Sequence, residues 1–324
     1  MIKVHLQFDP EPEQVTRLTK LLEPSVWLSL GQPALPADFE ILVHGFPTRE
    51  DLLASPRLHT LIIPWAGVPL ETLDLVKEFP QIAVHNLPYN SGPTAEMAVA
   101  LLLAAAKWVV PYDREFRQHH WGPLPGSGQG CVMLAGKTAL ILGYGRVGQG
   151  VAKACRGLGM HVVGVRRTPA PTDPEDVYGS DALPKLLPHA AALVICLPHT
   201  HETSGLLGER ELTLLPQHAV LVNVARGEIV AEEALYHALK ARKIFSAGID
   251  VWYRYPPRHA RGKAMPTPPS NFPFNELDNV VMSPHRAGWS AETEDLRITH
   301  LAALLNAAAG DEPMPNRVDL SRGY

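Results

Sequence analysis

Four features of the sequence carry chemistry. A run Gly143-Tyr-Gly145-Arg-Val-Gly148 follows the apolar stretch Thr138–Leu142 and precedes a helical pattern over Val151–Leu158. Arg226, Asp250 and His285 each stand at the end of a separate apolar stretch: Ala219–Val224, Phe245–Ile249 and Asn279–Met282. Glycines at that spacing between strand and helix serve one purpose well. Gly143 permits the tight turn, Gly145 lets backbone approach a pyrophosphate, and Gly148 lets helix pack on strand. The helix start then offers free N–H groups and a positive dipole end to the phosphates.

The three polar residues add the rest of a reaction. An arginine holds a carboxylate with two parallel N–H donors. A histidine passes a proton in either direction near neutral pH. Each residue alone is ordinarily a loop charge or a hydrogen-bonded core histidine. Together, downstream of a dinucleotide fingerprint and at strand carboxyl ends where open α/β sheets bind ligands, they match the needs of a 2-keto acid reductase.

The strand after the fingerprint bears on the choice of cofactor. A carboxylate at its end would accept the ribose hydroxyls of NAD and repel a 2′-phosphate. The stretch His161–Val165 ends instead in Arg166-Arg167-Thr168. Arginine binds a phosphate through charge-assisted hydrogen bonds, so NADP is expected over NAD, with NAD possible.

These residues need a frame. Candidate strands at Lys3–Phe8, Glu40–Val43, Thr60–Ile63 and Ile82–His85 alternate with helical spacing at Gln14–Leu22 and Leu70–Lys77, which predicts a parallel α/β layer. Asn90–Thr94 is a break. Thr94 is placed to cap a long apolar helix that runs through Lys107 and kinks or ends near Pro111. It either joins two domains or belongs to the core of the first. Strands then recur at Thr138–Leu142, His161–Arg166, Ala192–Leu197, Ala219–Val224, Phe245–Asp250 and Asn279–Ser283, the pattern of a doubly wound sheet. A final helix is expected over Ala291–Ala309, then a polar tail.

Composition narrows the class. Of 324 residues, 46% are apolar and 19% charged, and the net charge is −4. No global attraction to nucleic acid or anionic membrane follows. The longest apolar run, Met97–Ala106, is too short to span a bilayer, and no leader peptide is read at the N-terminus. Cys131, Cys155 and Cys196 show no disulfide or zinc spacing. A cytoplasmic protein without a metal site is expected.

The chain resembles the D-isomer-specific 2-hydroxyacid dehydrogenases, which include glyoxylate/hydroxypyruvate reductases and phosphoglycerate dehydrogenases. The similar stretches, in the family's order, are Thr94-Ala-Glu96, Gly143–Gly148, Cys196-Leu-Pro198 with Glu202-Thr203, Leu221–Gly227, Ala247–Val251 and Ser283-Pro-His285. The resemblance implies a Rossmann-type doubly wound α/β domain at 93–288. It would be inserted into a smaller flavodoxin-like α/β substrate domain made of 1–92 and 289–324. It implies hinge closure and a homodimer joined through the cofactor domain. It extends the cofactor-contacting set to Arg146, Val147, Leu197, Pro198, Thr203, Val224, Ala225, Asp250 and Gly288. It gives Arg226 the substrate carboxylate and carbonyl, His285 the acid/base role, and Asp250 a place near the nicotinamide carboxamide. The backbone of Trp65, Ala66 and Gly67 would hold the substrate carboxylate from the other domain.

Two departures stand out. The family usually has a glutamate five residues after the aspartate, paired with the histidine; here that position is Tyr255, before Pro256. A tyrosine hydrogen-bonds but supplies no charge to stabilise imidazolium. The enzyme would then use a weaker acid, or another carboxylate such as Glu276 would stand in. A third outcome is a cofactor-binding sensor without turnover. The substrate loop is Trp65-Ala66-Gly67 where the family typically has Gly-Ala-Gly. With Trp289 after His285, this favours an apolar substrate side chain or simply fills space. Arg254, Arg258, Arg261 and Lys263 would attract an anionic substrate or lie in solvent. An amino-acid dehydrogenase on a similar plan is a weaker alternative, because no lysine stands in the expected catalytic place.

Overall fold

The computed structural model describes every residue except 8–9, 34, 123–129 and 258–265. Phe8 and the basic residues Arg258, Arg261 and Lys263 therefore lie outside the described residues. The chain divides into two compact units, Met1–Asn90 with Trp289–Tyr324, and Ser91–Gly288.

The first unit holds β1 (Ile2–Leu6), α1 (Pro12–Leu21), β2 (Val26–Leu30), β3 (Ile41–Val43), α2 (Arg49–Leu53), β4 (Thr60–Ile63), α3 (Leu70–Val76) and β5 (Ala83–Asn86). Its sheet is parallel, in the order β2-β1-β3-β4-β5. Alternate residues point to opposite faces, so Val4, Leu6, Ile41, Val43 and Ile62 meet the C-terminal helix on one side, while Leu42, Leu61, Ile63 and Val84 pack on the other. Burial on both faces explains why these strands read as continuous apolar runs. β2 lies outside the strands expected from the sequence. Its burial is incomplete and Trp27 is exposed, as suits an edge strand with no apolar period.

The second unit begins with α4 (Ser91–Ala106) and α5 (Val109–Phe116). α4 is a core helix of this unit, packed across its sheet; the Ser246 hydroxyl donates to the Ala105 carbonyl at 3.0 Å. The break between α4 and α5 falls at Trp108, whose φ of 54° is left-handed, and not near Pro111. Pro111 sits in the first turn of α5, where a missing N–H costs nothing. The unit cut lies at Asn90–Ser91, two residues before the expected one, because α4 starts at Ser91 and needs no cap from Thr94.

The rest alternates strand and helix: β6 (Thr138–Leu142), α6 (Arg146–Gly157), β7 (His161–Val165), β8 (Val177–Tyr178), α7 (Leu183–Leu186), β9 (Ala190–Ile195), α8 (Glu209–Leu214), β10 (Val220–Asn223), α9 (Glu232–Lys240), β11 (Ser246–Ile249) and β12 (Val280–Met282). The seven strands are parallel, in the order β12-β11-β10-β9-β6-β7-β8. Strand order reverses between β6 and β9. That is the topological switch point where such sheets open a ligand crevice. The fold is α/β with a Rossmann-type doubly wound sheet in the second unit. α10 (Thr293–Ala309) returns the chain to the first unit, where Ile298, Leu301, Leu304 and Leu305 are buried.

Candidate active site

The turn after β6 is built around glycine. Gly143 has φ +102°, and a Cβ there would meet the Leu197 amide nitrogen at 2.4 Å. A Cβ on Gly148 would meet the Gly143 carbonyl oxygen at 2.1 Å, whereas one on Gly145 would meet nothing within 4 Å. The turn is therefore tight at its base and open at Gly145, the N-cap of α6. The first bond inside α6 runs from Gln149 N–H to Gly145 O at 2.8 Å. The earlier N–H groups face out of the helix end, as phosphate binding requires. These residues fit a dinucleotide.

Arg166 and Arg167 leave β7 beside this turn. Arg166 Nη1 reaches both carboxylate oxygens of Asp173 (3.0 and 3.1 Å), and Asp173 also accepts from Ala170 N–H at 2.6 Å. Arg167 pairs with Glu202, which is 71% exposed. The sequence shows the arginines but not their pairing with these carboxylates, which lie 7 and 35 residues away.

On the other side of the switch point, Leu197 and Pro198 lead into a knot closed by Thr203. Its hydroxyl donates to Pro198 O at 2.8 Å and accepts from Thr200 N–H at 2.8 Å. This loop is sewn to the one carrying Arg226 by Gly205 N–H to Glu228 O at 2.7 Å. His199, between Pro198 and Thr200, has a buried Nε2 with no partner among the described residues. Burial lowers its pKa, opposed by the nearby Glu228 carboxylate and aided by Arg226. Only spatial neighbours reveal His199 and Glu228 as parts of this cluster.

Arg226, Asp250 and His285 follow three neighbouring strands, β10, β11 and β12. The buried Asn223 side chain braces the first, accepting from Ala225 N–H at 3.1 Å and donating to Arg226 O at 2.9 Å. Gly227 follows because a Cβ would lie 2.5 Å from Trp252 O. Asp250 is fully buried. Its carboxylate accepts from the Ser283 hydroxyl, Arg286 N–H (2.8 Å) and Ala287 N–H (2.9 Å), and its carbonyl accepts from His285 N–H (2.7 Å). Asp250 thus clasps the whole turn 283–287. His285 itself has φ +58°, a conformation non-glycine residues adopt at a cost, which the clasp offsets.

In the first unit, Trp65-Ala66-Gly67 leaves β4. The Trp65 indole lies in the space a side chain on Gly45 would need and meets Phe46, ring centroids 5.3 Å apart. Among the described residues, no hydrogen bond is donated by the N–H groups of Ala66 and Gly67.

Comparison with known proteins decides the family. The model of the D-isomer specific 2-hydroxyacid dehydrogenase NAD binding domain matches residues 99–287. The chain belongs to this family. A glyoxylate reductase of Korarchaeum cryptofilum is 35% identical over 278 residues, 82% of this chain and 77% of that protein. A D-3-phosphoglycerate dehydrogenase of Archaeoglobus fulgidus is 36% identical over 267 residues, covering 80% of this chain and 47% of its own length; the chain thus spans about half of that relative. A D-isomer specific 2-hydroxyacid dehydrogenase of Xanthobacter autotrophicus, solved with NADPH and MES, is 25% identical with a TM-score of 0.82, both chains covered completely.

Within this dehydrogenase frame, the departure at Tyr255 takes a definite form. Its ring stands 5.4 Å from that of His285, centroid to centroid, tilted by 54°. Its hydroxyl accepts from Trp252 N–H at 2.9 Å. Burial raises the phenol pKa, so the group beside His285 stays neutral. Glu276, the suggested substitute carboxylate, is exposed. Trp289 is 70% exposed, and its neighbour in sequence, Gly288, ends the second unit.

Proposed function

We propose that this protein is an NADP-preferring reductase that converts a 2-keto acid to the D-2-hydroxy acid. The observation that carries the reading is the strained His285 turn, locked by the buried Asp250 beside the braced Arg226. Strain of this kind persists where the surroundings over-determine it, and it clusters at reacting centres. Arg226 orients the substrate carboxylate and polarises the carbonyl. His285 donates a proton to the carbonyl oxygen and regains it from solvent. A nicotinamide dinucleotide would rest its pyrophosphate on the Gly143–Gly148 turn and the start of α6, and would supply the hydride. The Leu197–Thr203 knot, Val224, Ala225 and Gly288 line the same sheet edge. Asp250 touches the turn with both oxygens and so positions His285, and its place near the nicotinamide carboxamide is part of the same reading.

The NADP preference rests on Arg166 and Arg167 at the end of β7. The Xanthobacter protein binds NADPH in its crystal structure. An NADPH-dependent glyoxylate/hydroxypyruvate reductase of Sinorhizobium meliloti, solved with NADP and sulfate, shares the fold at 22% identity with a TM-score of 0.81. A homodimer joined through the second unit accords with Phe116 and Trp121, 54% and 87% exposed and packed edge to face. A cytoplasmic site accords with three cysteines, none of them disulfide-bonded.

The test is NADPH and NADH oxidation with glyoxylate, hydroxypyruvate, pyruvate and phenylpyruvate, with the product enantiomer determined. Turnover with NADPH to the D-product is expected. The neutral Tyr255 beside His285 favours a second reading, a cofactor-binding sensor. NADPH binding without turnover on the whole panel selects it.

A further inference from the structure

The segment after β11 is tied to the loops on either side of it. Trp252 Nε1 donates to Ser283 O at 2.8 Å, and the Trp252 carbonyl fills the space a side chain on Gly227 would need. The Tyr253 hydroxyl donates to Val230 O at 3.0 Å. The Tyr253 and Arg254 N–H groups both donate to Pro269 O, at 3.1 and 2.9 Å. β11 lies between β10 and β12 in the sheet. Residues 252–255 therefore stand between the Arg226 turn and the His285 turn, fixed to the loops of both.

Tyr255 ends this fixed segment. Its hydroxyl accepts from Trp252 N–H at 2.9 Å, which sets the oxygen in place, and its ring packs on His285 at 5.4 Å. A phenol can both accept and donate. Tyr253 gives its phenolic proton to Val230 O, whereas Tyr255 donates to nothing among the described residues. Tyr255 is also open to a ligand, at 38% exposure. Partial burial above all, helped by Glu228 and Asp250, raises its pKa against the effect of Trp252 N–H and Arg226. The proton therefore stays on the oxygen through the neutral range. Arg226 is likewise a donor in reserve. Its Nη1 reaches Ala225 O at 2.7 Å, and its other nitrogens bond to nothing among the described residues.

We propose that the Tyr255 hydroxyl contacts the substrate, donating a hydrogen bond to an oxygen of the 2-keto acid beside Arg226. The inference rests on the reductase reading for the identity of its ligand. A neutral donor adds to the guanidinium's hold on an oxygen anion. A carboxylate in its place would still accept from Trp252 N–H, but it would have no proton to give and would repel the anion. Phenylalanine would keep the ring on His285 and lose only the hydroxyl. The order of substrate affinity is then wild type, Tyr255→Phe, Tyr255→Glu. A purely structural role, in which the hydroxyl serves only Trp252 N–H, gives the opposite order for the two variants.

The experiment measures four quantities for the full chain and both variants: Kd for oxamate on the NADPH-loaded protein by calorimetry, Kd for NADPH by fluorescence, KM and kcat for the best keto acid, and Tm. Tyr255→Phe should raise KM and the oxamate Kd by about tenfold, the scale of one hydrogen bond to a charged group. Tyr255→Glu should raise both by about a hundredfold, while NADPH Kd stays within about twofold in each. Unchanged oxamate affinity in Tyr255→Phe overturns the inference. So does tighter oxamate binding by Tyr255→Glu than by Tyr255→Phe, an equal loss of NADPH affinity, or a wild type that binds no oxamate. If the wild type turns over no keto acid but the oxamate order holds, the contact stands and the reductase reading falls. If it turns over a keto acid and the order is absent, the reverse is true.

Discussion

Two arginine-bearing regions of the second unit are held in opposite ways. The turn 283–287 is fastened by a fully buried carboxylate through one hydroxyl and two backbone N–H donors. The Arg166–Arg167 corner is fastened by two ion pairs, one to the nearly buried Asp173 and one to the 71% exposed Glu202. An exposed pair contributes about 0–1 kcal/mol and exchanges readily with solvent ions. A buried acceptor that loses its donors costs about 1–3 kcal/mol for each group left unpaired. The first region is thus built to keep one geometry. The second holds one arginine by an exposed carboxylate, which on the proposed reading would give way to an incoming phosphate.

The comparison breaks first at Arg226, which follows the strand next but one to the rigid turn and is braced by Asn223. Arg226→Ala should lower kcat/KM by about a thousandfold, with NADPH Kd unchanged; comparable loss of NADPH binding would undo its assignment to substrate. Asp250→Ala should follow, lowering kcat by about a hundredfold and stability by about 3 kcal/mol, since the turn donors lose their acceptor. Denaturant unfolding and steady-state kinetics read both effects. If Asp250→Ala keeps full activity, the turn does not depend on its clasp.

These contrasts also mark how much the sequence revealed. The strand-end residues were legible because apolar runs announce strands, and the first polar residue after each run lies at the ligand edge of a parallel sheet. The glycine turn was legible because its spacing is dictated by steric contact. β2, β8 and the tail segment 316–318 were not, since each is short or at an edge and takes its order from a neighbouring strand. The clasp made by Asp250 was hidden for a similar reason. Its hydrogen bonds join position 250 to 283–287, and spacing alone shows no hydrogen bond. Asp173 and Glu202, beside the two arginines, were hidden the same way.

At the arginine corner the effect should be smaller and confined to selectivity. Arg166→Asp should lower the NADPH-to-NADH ratio of kcat/KM by about a hundredfold, the loss of a charge-assisted contact plus repulsion. An unchanged ratio would remove the basis for NADP preference.

The smallest expected effect concerns the tail. Burial lowers the pKa of His85, opposed by its bond to the Pro315 carbonyl and aided by Arg317. A base whose folded pKa lies below its ordinary 6.5 is stabilising when neutral. Its contribution is full above that value and declines as pH falls through it towards the folded pKa. Thermal unfolding should therefore show a fall in Tm below about pH 6.5 that is reduced in His85→Gln. An identical fall in the variant would assign the acid sensitivity to other groups.

The central claim is that His285, on its clasped turn, is the proton donor of a keto acid reductase. The most direct measurement compares wild type and His285→Gln for NADPH oxidation with the four keto acids from about pH 5 to about pH 8, with NADPH Kd measured alongside. The account predicts wild-type turnover on at least one acid, declining as pH rises through the imidazole range. It predicts a loss of at least about a hundredfold in the variant, with NADPH binding retained. Undiminished turnover in His285→Gln, or NADPH binding without turnover in the wild type, would contradict it.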